Sequence, residues 1–498
     1  MILTISSPIK AFVQATSEEL EILNKFLTYT NLAAQHELKR FQQNHWAKTR
    51  DPNAFNAHVN ELKAAVKNTL IFEENGQKFI RPGSIPYLPK NLTIQVINEI
   101  QYPTPKKIAW EKPLKFTLYP YQNEGVEKLI AEKHGNVVFC TGSGKTACIV
   151  SLCRETGFKT AIIAPSKSIF NELIEIFEFH FGKGKIGKFG DGKKVLGKQF
   201  TICISDSITN IKPESKEWEF FSTLEMIACD EAHSLASETL EQMCNGVLGE
   251  IPYRFFFTAT PTRGDGTLKL LQSVIGNTVH TLSTQDAVEQ GYICPHKFKI
   301  VQIDSTNPNY YSTNVLDQKR VHVLKNRNIA TFIAKVANAD AVQNGKQTLV
   351  LVEELSQIAM IIPLLKVPYV IAHSESSKAK LESMGLIKVN TKESIESFNK
   401  NEAKVLIGTS AVHVGVNIFP THNTFNWIGG ASEVKTLQSV VGRSVRFLSA
   451  SPWATSCVQK PYAVVWDFDV RQDVMHKHLE TRLTYYAKSG STIEFINL

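Results

Sequence analysis

The stretch Asn136-Val137-Val138-Phe139-Cys140-Thr141-Gly142-Ser143-Gly144-Lys145-Thr146 constrains the fold more than any other part of the chain. It reads as an apolar, β-branched strand, a turn carrying two glycines, and the first residues of a helix. A strand that feeds a helix through a tight turn is half of a βαβ unit, and such units build parallel sheets covered by helices. The surrounding sequence has the same texture. Short apolar runs at Asn136–Cys140, Thr160–Ala164, Gln199–Ile204, Met226–Cys229 and Arg254–Thr258 alternate with helical segments. A second set follows at Gln347–Val352, Tyr369–Ala372, Lys404–Gly408, Thr424–Ile428 and Ala463–Asp467. Strands apolar on both faces belong to a sheet buried on both faces, so the pattern predicts two tandem α/β domains with parallel sheets.

A chain of 498 residues is too long for one core, and 43% hydrophobic with 20% charged residues is the balance of a folded protein. Before the first α/β domain, Ser17 precedes a helical pattern that runs to about residue 67 and is broken at Asp51-Pro52. Short β-like stretches at Thr69–Phe72 and Leu92–Ile97 follow. The expected division is therefore a small α+β domain over 1–112, α/β domains over 113–292 and 293–470, and a helical tail over 471–498. Aromatic residues of the first part, Phe41, Trp46 and Phe55, stand at helical spacing and are expected in its core rather than on bases. The eight cysteines lie in apolar runs without a C-x-x-C pair, which favours buried thiols over zinc or disulfides. Neither a signal peptide nor a run long enough to span a bilayer is visible, so a cytoplasmic location without membrane contact is expected. The net charge of +8 suits a polyanionic partner without establishing one.

Chemistry concentrates in two places. In Thr141-Gly142-Ser143-Gly144-Lys145-Thr146 the glycines let backbone amides wrap a phosphate at a helix N-terminus. Lys145 would reach the β- and γ-phosphates of ATP, and Thr146 would hold Mg²⁺. The apolar strand Met226–Cys229 then delivers Asp230-Glu231-Ala232-His233 at its C-terminal end, where ligands of parallel sheets gather. Asp230 is the second candidate for Mg²⁺ and Glu231 for orienting or deprotonating the attacking water. The run Phe255–Pro261 is another buried strand that ends in hydroxyls, so His233 is expected to couple the nucleotide site to Thr258 and Thr260.

In this order the motifs resemble those of superfamily 2 helicases, over roughly residues 114–470. Gln122 in Leu118-Tyr119-Pro120-Tyr121-Gln122 looks like that family's adenine-reading glutamine. Gly408-Thr409-Ser410 through Gly415-Val416-Asn417 resembles motif V, and Gln438–Arg446 resembles the QxxGRxxR signature of motif VI. The small N-terminal part, the Gly-rich basic stretch Phe181–Lys198, Val465-Trp466-Asp467 and a tail with His478, Arg482 and Tyr485 are similar to phage branch-migration helicases of the UvsW type. Phe139 where the general P-loop has Gly, and Asn417 where many relatives have Asp, are departures.

The resemblance implies a DNA-dependent ATPase that works on forked or branched DNA, or on duplex with single-stranded tracks. Gly415 would join Gln122 and residues 141–146 in binding ATP. Arg443 and Arg446 would act as arginine fingers and Gln438 would contact the γ-phosphate or its attacking water. The nucleic-acid face would comprise Pro165-Ser166-Lys167, Ser205 and Ser207, His373-Ser374, Thr409-Ser410, and a basic hairpin with Lys193 and Lys194. Residues 1–112 would be an accessory or DNA-recognition domain. Replication or recombination proteins are the expected partners, the monomer the expected active form, and a host cytoplasm the setting if the chain is phage-encoded. Three alternatives stand beside this one: a duplex translocase serving a nuclease or remodelling partner, an RNA helicase, and a scaffold with a dead ATPase. Intact Lys145, Asp230, Glu231, Arg443 and Arg446 argue against the scaffold.

Overall fold

The computed structural model describes the whole chain except residues 44, 111–112, 260–264, 410–411, 413–416, 433–435, 437–439, 451–452 and 498. The chain forms two compact units, Met1–Phe139 with Lys145–Thr281 and Cys140–Gly144 with Leu282–Leu498.

The first unit is built on an eight-stranded sheet among the described residues. Its strand order is Lys193–Val195, Ile186–Gly190, Phe200–Ile204, Thr160–Ala164, Met226–Cys229, Tyr253–Thr258, His134–Phe139 and Asn277–Leu282. From Ile186–Gly190 to His134–Phe139 every pair is parallel. The middle strands are buried along their length, which is why they stood out as unbroken apolar runs. Because these strands run the same way, the P-loop, Pro165, Ser205, Asp230 and Ala259 all leave from one edge of the sheet.

The N-terminal part adds a five-stranded sheet that includes Ile2–Ser7 and Lys10–Gln14, strands the sequence reading did not anticipate. The anticipated run Thr69–Phe72 is divided between Lys67–Thr69 and Ile71–Glu74, which pair in different sheets. This part packs on the first α/β domain within the same unit. Arg81 pairs with Glu241 at 3.0 Å, and Tyr87 donates to the Gly276 carbonyl at 2.8 Å. At Gly83 an added Cβ would come within 2.3 Å of the Ser273 carbonyl oxygen, so only glycine permits that approach. Phe55 is buried and its ring stacks on Phe41 at 5.0 Å, as expected of core residues, whereas the Trp46 side chain lies outside the described residues.

Among the described residues the second unit carries a seven-stranded sheet, all pairs parallel, ordered Tyr369–Ala372, Val405–Gly408, Gln347–Val352, Thr421–Trp427, Ala463–Asp469, His296–Gln302 and Ile493–Asn497. The two sheets make the chain α/β with tandem RecA-like domains. The tail expected to be helical forms the helix Asp473–Ala487 and then the strand Ile493–Asn497, which pairs with His296–Gln302. The eight cysteines are buried. No helix among the described residues is long and apolar enough to cross a membrane.

Candidate functional site

Local chemistry explains how the first unit presents its polar residues. The strand His134–Phe139 ends in a loop where Gly142 and Gly144 take φ of +85° and +79°, a region that β-carbons disfavour. Ser143 Oγ closes the turn by donating to the Cys140 carbonyl at 2.6 Å. The helix Lys145–Thr156 begins directly after it, so its free amides face the loop.

Four side chains converge there. The Lys145 ammonium is buried, 3.3 Å from Glu231 Oε1, and donates to the Phe139 carbonyl at 3.4 Å. Thr146 Oγ1 donates to Asp230 Oδ2 at 3.4 Å. Asp230 accepts from the Glu231 amide at 2.9 Å. Burial, and then the neighbouring Glu231, push the Asp230 carboxyl up to about 7, with Lys145 opposing them. Glu231 itself sits at φ +47°, an uncommon conformation for a residue with a side chain. A hydroxyl and a carboxylate in contact are hard oxygen donors suited to Mg²⁺, and the glycine loop with Lys145 suits a polyphosphate, so the residues fit both groups.

His233 is buried, and its Nδ1 lies 2.8 Å from Thr258 Oγ1 and 3.6 Å from Glu231 Oε2. The expected His233–Thr258 link is thus present as a hydrogen bond; Thr260 lies outside the described residues. Gln122 is buried, and its Oε1 accepts from the Tyr119 amide at 2.8 Å, capping the helix Pro120–Glu132. That bond holds the side chain in place at the helix start.

The basic stretch is a hairpin, with Ile186–Gly190 antiparallel to Lys193–Val195 around Asp191-Gly192. Its lysines have partners: Lys188 pairs with Glu178 at 2.5 Å, Lys194 with Glu217, and Lys193 donates to Asn171 at 3.2 Å. Lys167 reaches the turn, 2.7 Å from Asp191. The pairs of Lys167 and Lys194, whose lysines are exposed, are worth about 1 kcal/mol or less, so phosphate can displace them. Ser166 caps the helix Lys167–Phe181 by accepting from the Ile169 amide, beside Pro165; Ser205 is buried and Ser207 half-buried.

In the second unit, His373 and Thr409 follow adjacent strands and are tied together, with the Thr409 amide donating to the Ala372 carbonyl at 3.0 Å. His373 is buried, its Nε2 3.1 Å from the Ile387 carbonyl, while Ser374 is exposed. Arg443 is buried in the short helix Gly442–Ser444, and Arg446 lies 6.0 Å from the Phe419 ring. Ser410, Gly415 and Gln438 lie outside the described residues.

Sequence reasoning missed Lys460. It is buried, and its ammonium donates to the carbonyls of Phe419 (2.8 Å), Ser444 (3.1 Å) and Arg446, tying the backbone around both arginines. Burial lowers its pKa to about 8. Val458-Gln459-Lys460-Pro461 is an unpatterned loop sequence, so nothing in it announces the role.

Residues 115–263 match the family described as type III restriction enzyme, res subunit. A DNA 3'-5' translocase, XPB2 of Sulfurisphaera tokodaii, is 27% identical over 49% of this chain and 52% of its own length. The chain spans about half the length of the curated relatives it matches. S. cerevisiae Dbp5, solved bound to Gle1, shares the fold at TM-score 0.51 and 14% identity over 76% of this chain and 88% of its own. T4 UvsW aligns over 100% of this chain and 99% of its own at TM-score 0.44 and 13% identity.

Proposed function

We propose, from a chain whose residues 115–263 match the family described as type III restriction enzyme, res subunit, that the protein is an ATP-dependent DNA translocase of the superfamily 2 helicase type. The observation that carries this reading is the convergence of Lys145, Thr146, Asp230 and Glu231 behind a glycine loop at one sheet edge, with His233 bonded to Thr258 beside them. Bound ATP with Mg²⁺ supplies the phosphoanhydride to be cleaved and a cation that offsets its charge. Lys145 binds the β- and γ-phosphates, Thr146 and Asp230 hold the cation, and Glu231 takes the proton of the attacking water. Arg443 and Arg446 supply the positive charge that the γ-phosphate requires, a contribution on the order of a thousandfold in phosphoryl transfer. His233 and Thr258 pass the state of the nucleotide to the strand edge where Pro165, Ser166 and Lys167 meet phosphates. The name of the archaeal relative favours DNA over RNA and movement in the 3'-5' direction.

The finer reading is strand separation or branch migration on forked and junction DNA by a monomer in the cytoplasm, alongside replication or recombination proteins. ATP hydrolysis measured with single-stranded, duplex, forked, four-way and RNA substrates tests it, together with displacement of a third strand or of a fork arm. Stimulation by DNA with displacement of a fork arm supports the reading. Stimulation by RNA alone, or displacement of a third strand without any unwinding, replaces it.

A further inference from the structure

The segment between the strand His296–Gln302 and the helix Arg327–Asn344 forms a strap over the C-terminal edge of the second sheet. It leaves the sixth strand in the sheet order and returns across the edge to the third and fourth. Lys319 donates to Glu353 at 2.5 Å and Arg320 to Glu354 at 2.8 Å, just beyond Gln347–Val352. Trp427, at the end of the fourth strand, donates to the Val323 carbonyl at 2.8 Å. The strap is held firmly at its root. Ser305 Oγ and His322 Nδ1, both on buried residues, lie 2.8 Å apart, and His322 Nε2 lies 3.2 Å from the Tyr310 carbonyl. Asn326 and Asn328 both donate to the Asp304 carbonyl at 3.1 Å, and Gln318 donates to that of Ser312.

On this anchored strap, large apolar side chains face solvent. Tyr311 is 80% exposed, Leu316 66%, Val315 41% and Tyr310 40%. Single exposed apolar residues are ordinary, but four within seven residues on a bonded scaffold form a patch. Asp317 on the strap, and Glu353 and Glu354 beyond the third strand, lie within 2.5–3.7 Å of Lys319 or Arg320. At its foot exposed Lys325 and Arg327 stand with one exposed acid, Asp304, so cations outnumber acids there. Thr409 and His373 leave the sheet at the same edge.

We propose that Tyr310 and Tyr311 are a stacking platform for the unpaired bases of a nucleic-acid strand, with Lys325 and Arg327 meeting its phosphates. The proposal rests on the DNA reading above. Aromatic faces stack on any base, so the platform grips a single strand without reading sequence, and it has no purchase on bases still paired within a duplex.

The test compares binding of a single-stranded oligothymidylate with a strand of equal length and charge made of abasic residues, by fluorescence anisotropy. Wild type is expected to prefer the strand with bases. Tyr311→Ala is expected to weaken binding of that strand by about tenfold, leave the abasic strand near its wild-type affinity, and be rescued by Tyr311→Trp. An unchanged preference in Tyr311→Ala, an equal loss on both strands, or no binding of either strand by wild type overturns the platform. So does a change of sedimentation in Tyr311→Ala, which would mean that the patch covers a second copy of the chain. Absence of DNA-stimulated ATP hydrolysis in a wild type that still prefers bases overturns the translocase reading and leaves the platform standing.

Discussion

Two features of Glu231 suit the role proposed for it in hydrolysis: a left-handed backbone at φ +47°, and a carboxylate 3.3 Å from the Lys145 ammonium. Glu231→Gln keeps the shape and removes the base. The expected result is DNA binding that persists in ATP while turnover falls by on the order of a hundredfold or more, read by anisotropy and phosphate release. A second residue-level prediction concerns acid. Burial lowers the pKa of His296 from 6.5 to about 4. The unfolded chain therefore binds the proton first, and the stability that neutral His296 confers is present above 6.5 and lost as pH falls from 6.5 through 4. The loss amounts to at most about 3 kcal/mol. His296→Phe should flatten the fall of the melting temperature across that window, and an unchanged acid limb would assign the fall to other groups.

At the scale of elements, the helix Asp473–Ala487 is fixed by one buried ion pair. Arg482 donates to both carboxylate oxygens of Asp467 at 2.7 and 2.9 Å, and the Tyr486 hydroxyl donates to the same group at 2.7 Å. Arg482→Met leaves Asp467 buried without its cation, at an expected cost of about 3–5 kcal/mol in urea unfolding. Hydrogen exchange should rise in Ile493–Asn497 with it, because the helix leads into that strand. For the hairpin, replacing Lys193 and Lys194 with Ala should lower the slope of log affinity against log salt by about one to two. A slope equal to that of wild type would make the hairpin a solvated face. What the sequence disclosed of these elements followed burial. Strands buried on both faces, such as Thr160–Ala164, showed as unbroken apolar runs. His296–Gln302 forms no unbroken apolar run, because Lys297 and Lys299 alternate with its apolar residues, and Ile493–Asn497 is an edge strand with Phe495 59% exposed. The tail's helical pattern hid the strand behind it.

In the whole molecule, the P-loop and the acids of Asp230-Glu231 were legible because turn chemistry and strand ends fix them locally. The hydrogen bond of His233 to Thr258 followed from the order of neighbouring strands, which makes Met226–Cys229 and Tyr253–Thr258 adjacent. Lys460 and the tyrosine strap were not legible, since both depend on which carbonyls and which sheet edge a loop meets after folding. The most direct test is steady-state ATP hydrolysis across a DNA titration, wild type beside Lys145→Ala. DNA is expected to raise the wild-type rate while the variant stays at background at every DNA concentration. A variant that hydrolyses ATP as fast as wild type, or a wild-type rate indifferent to DNA, contradicts the translocase reading.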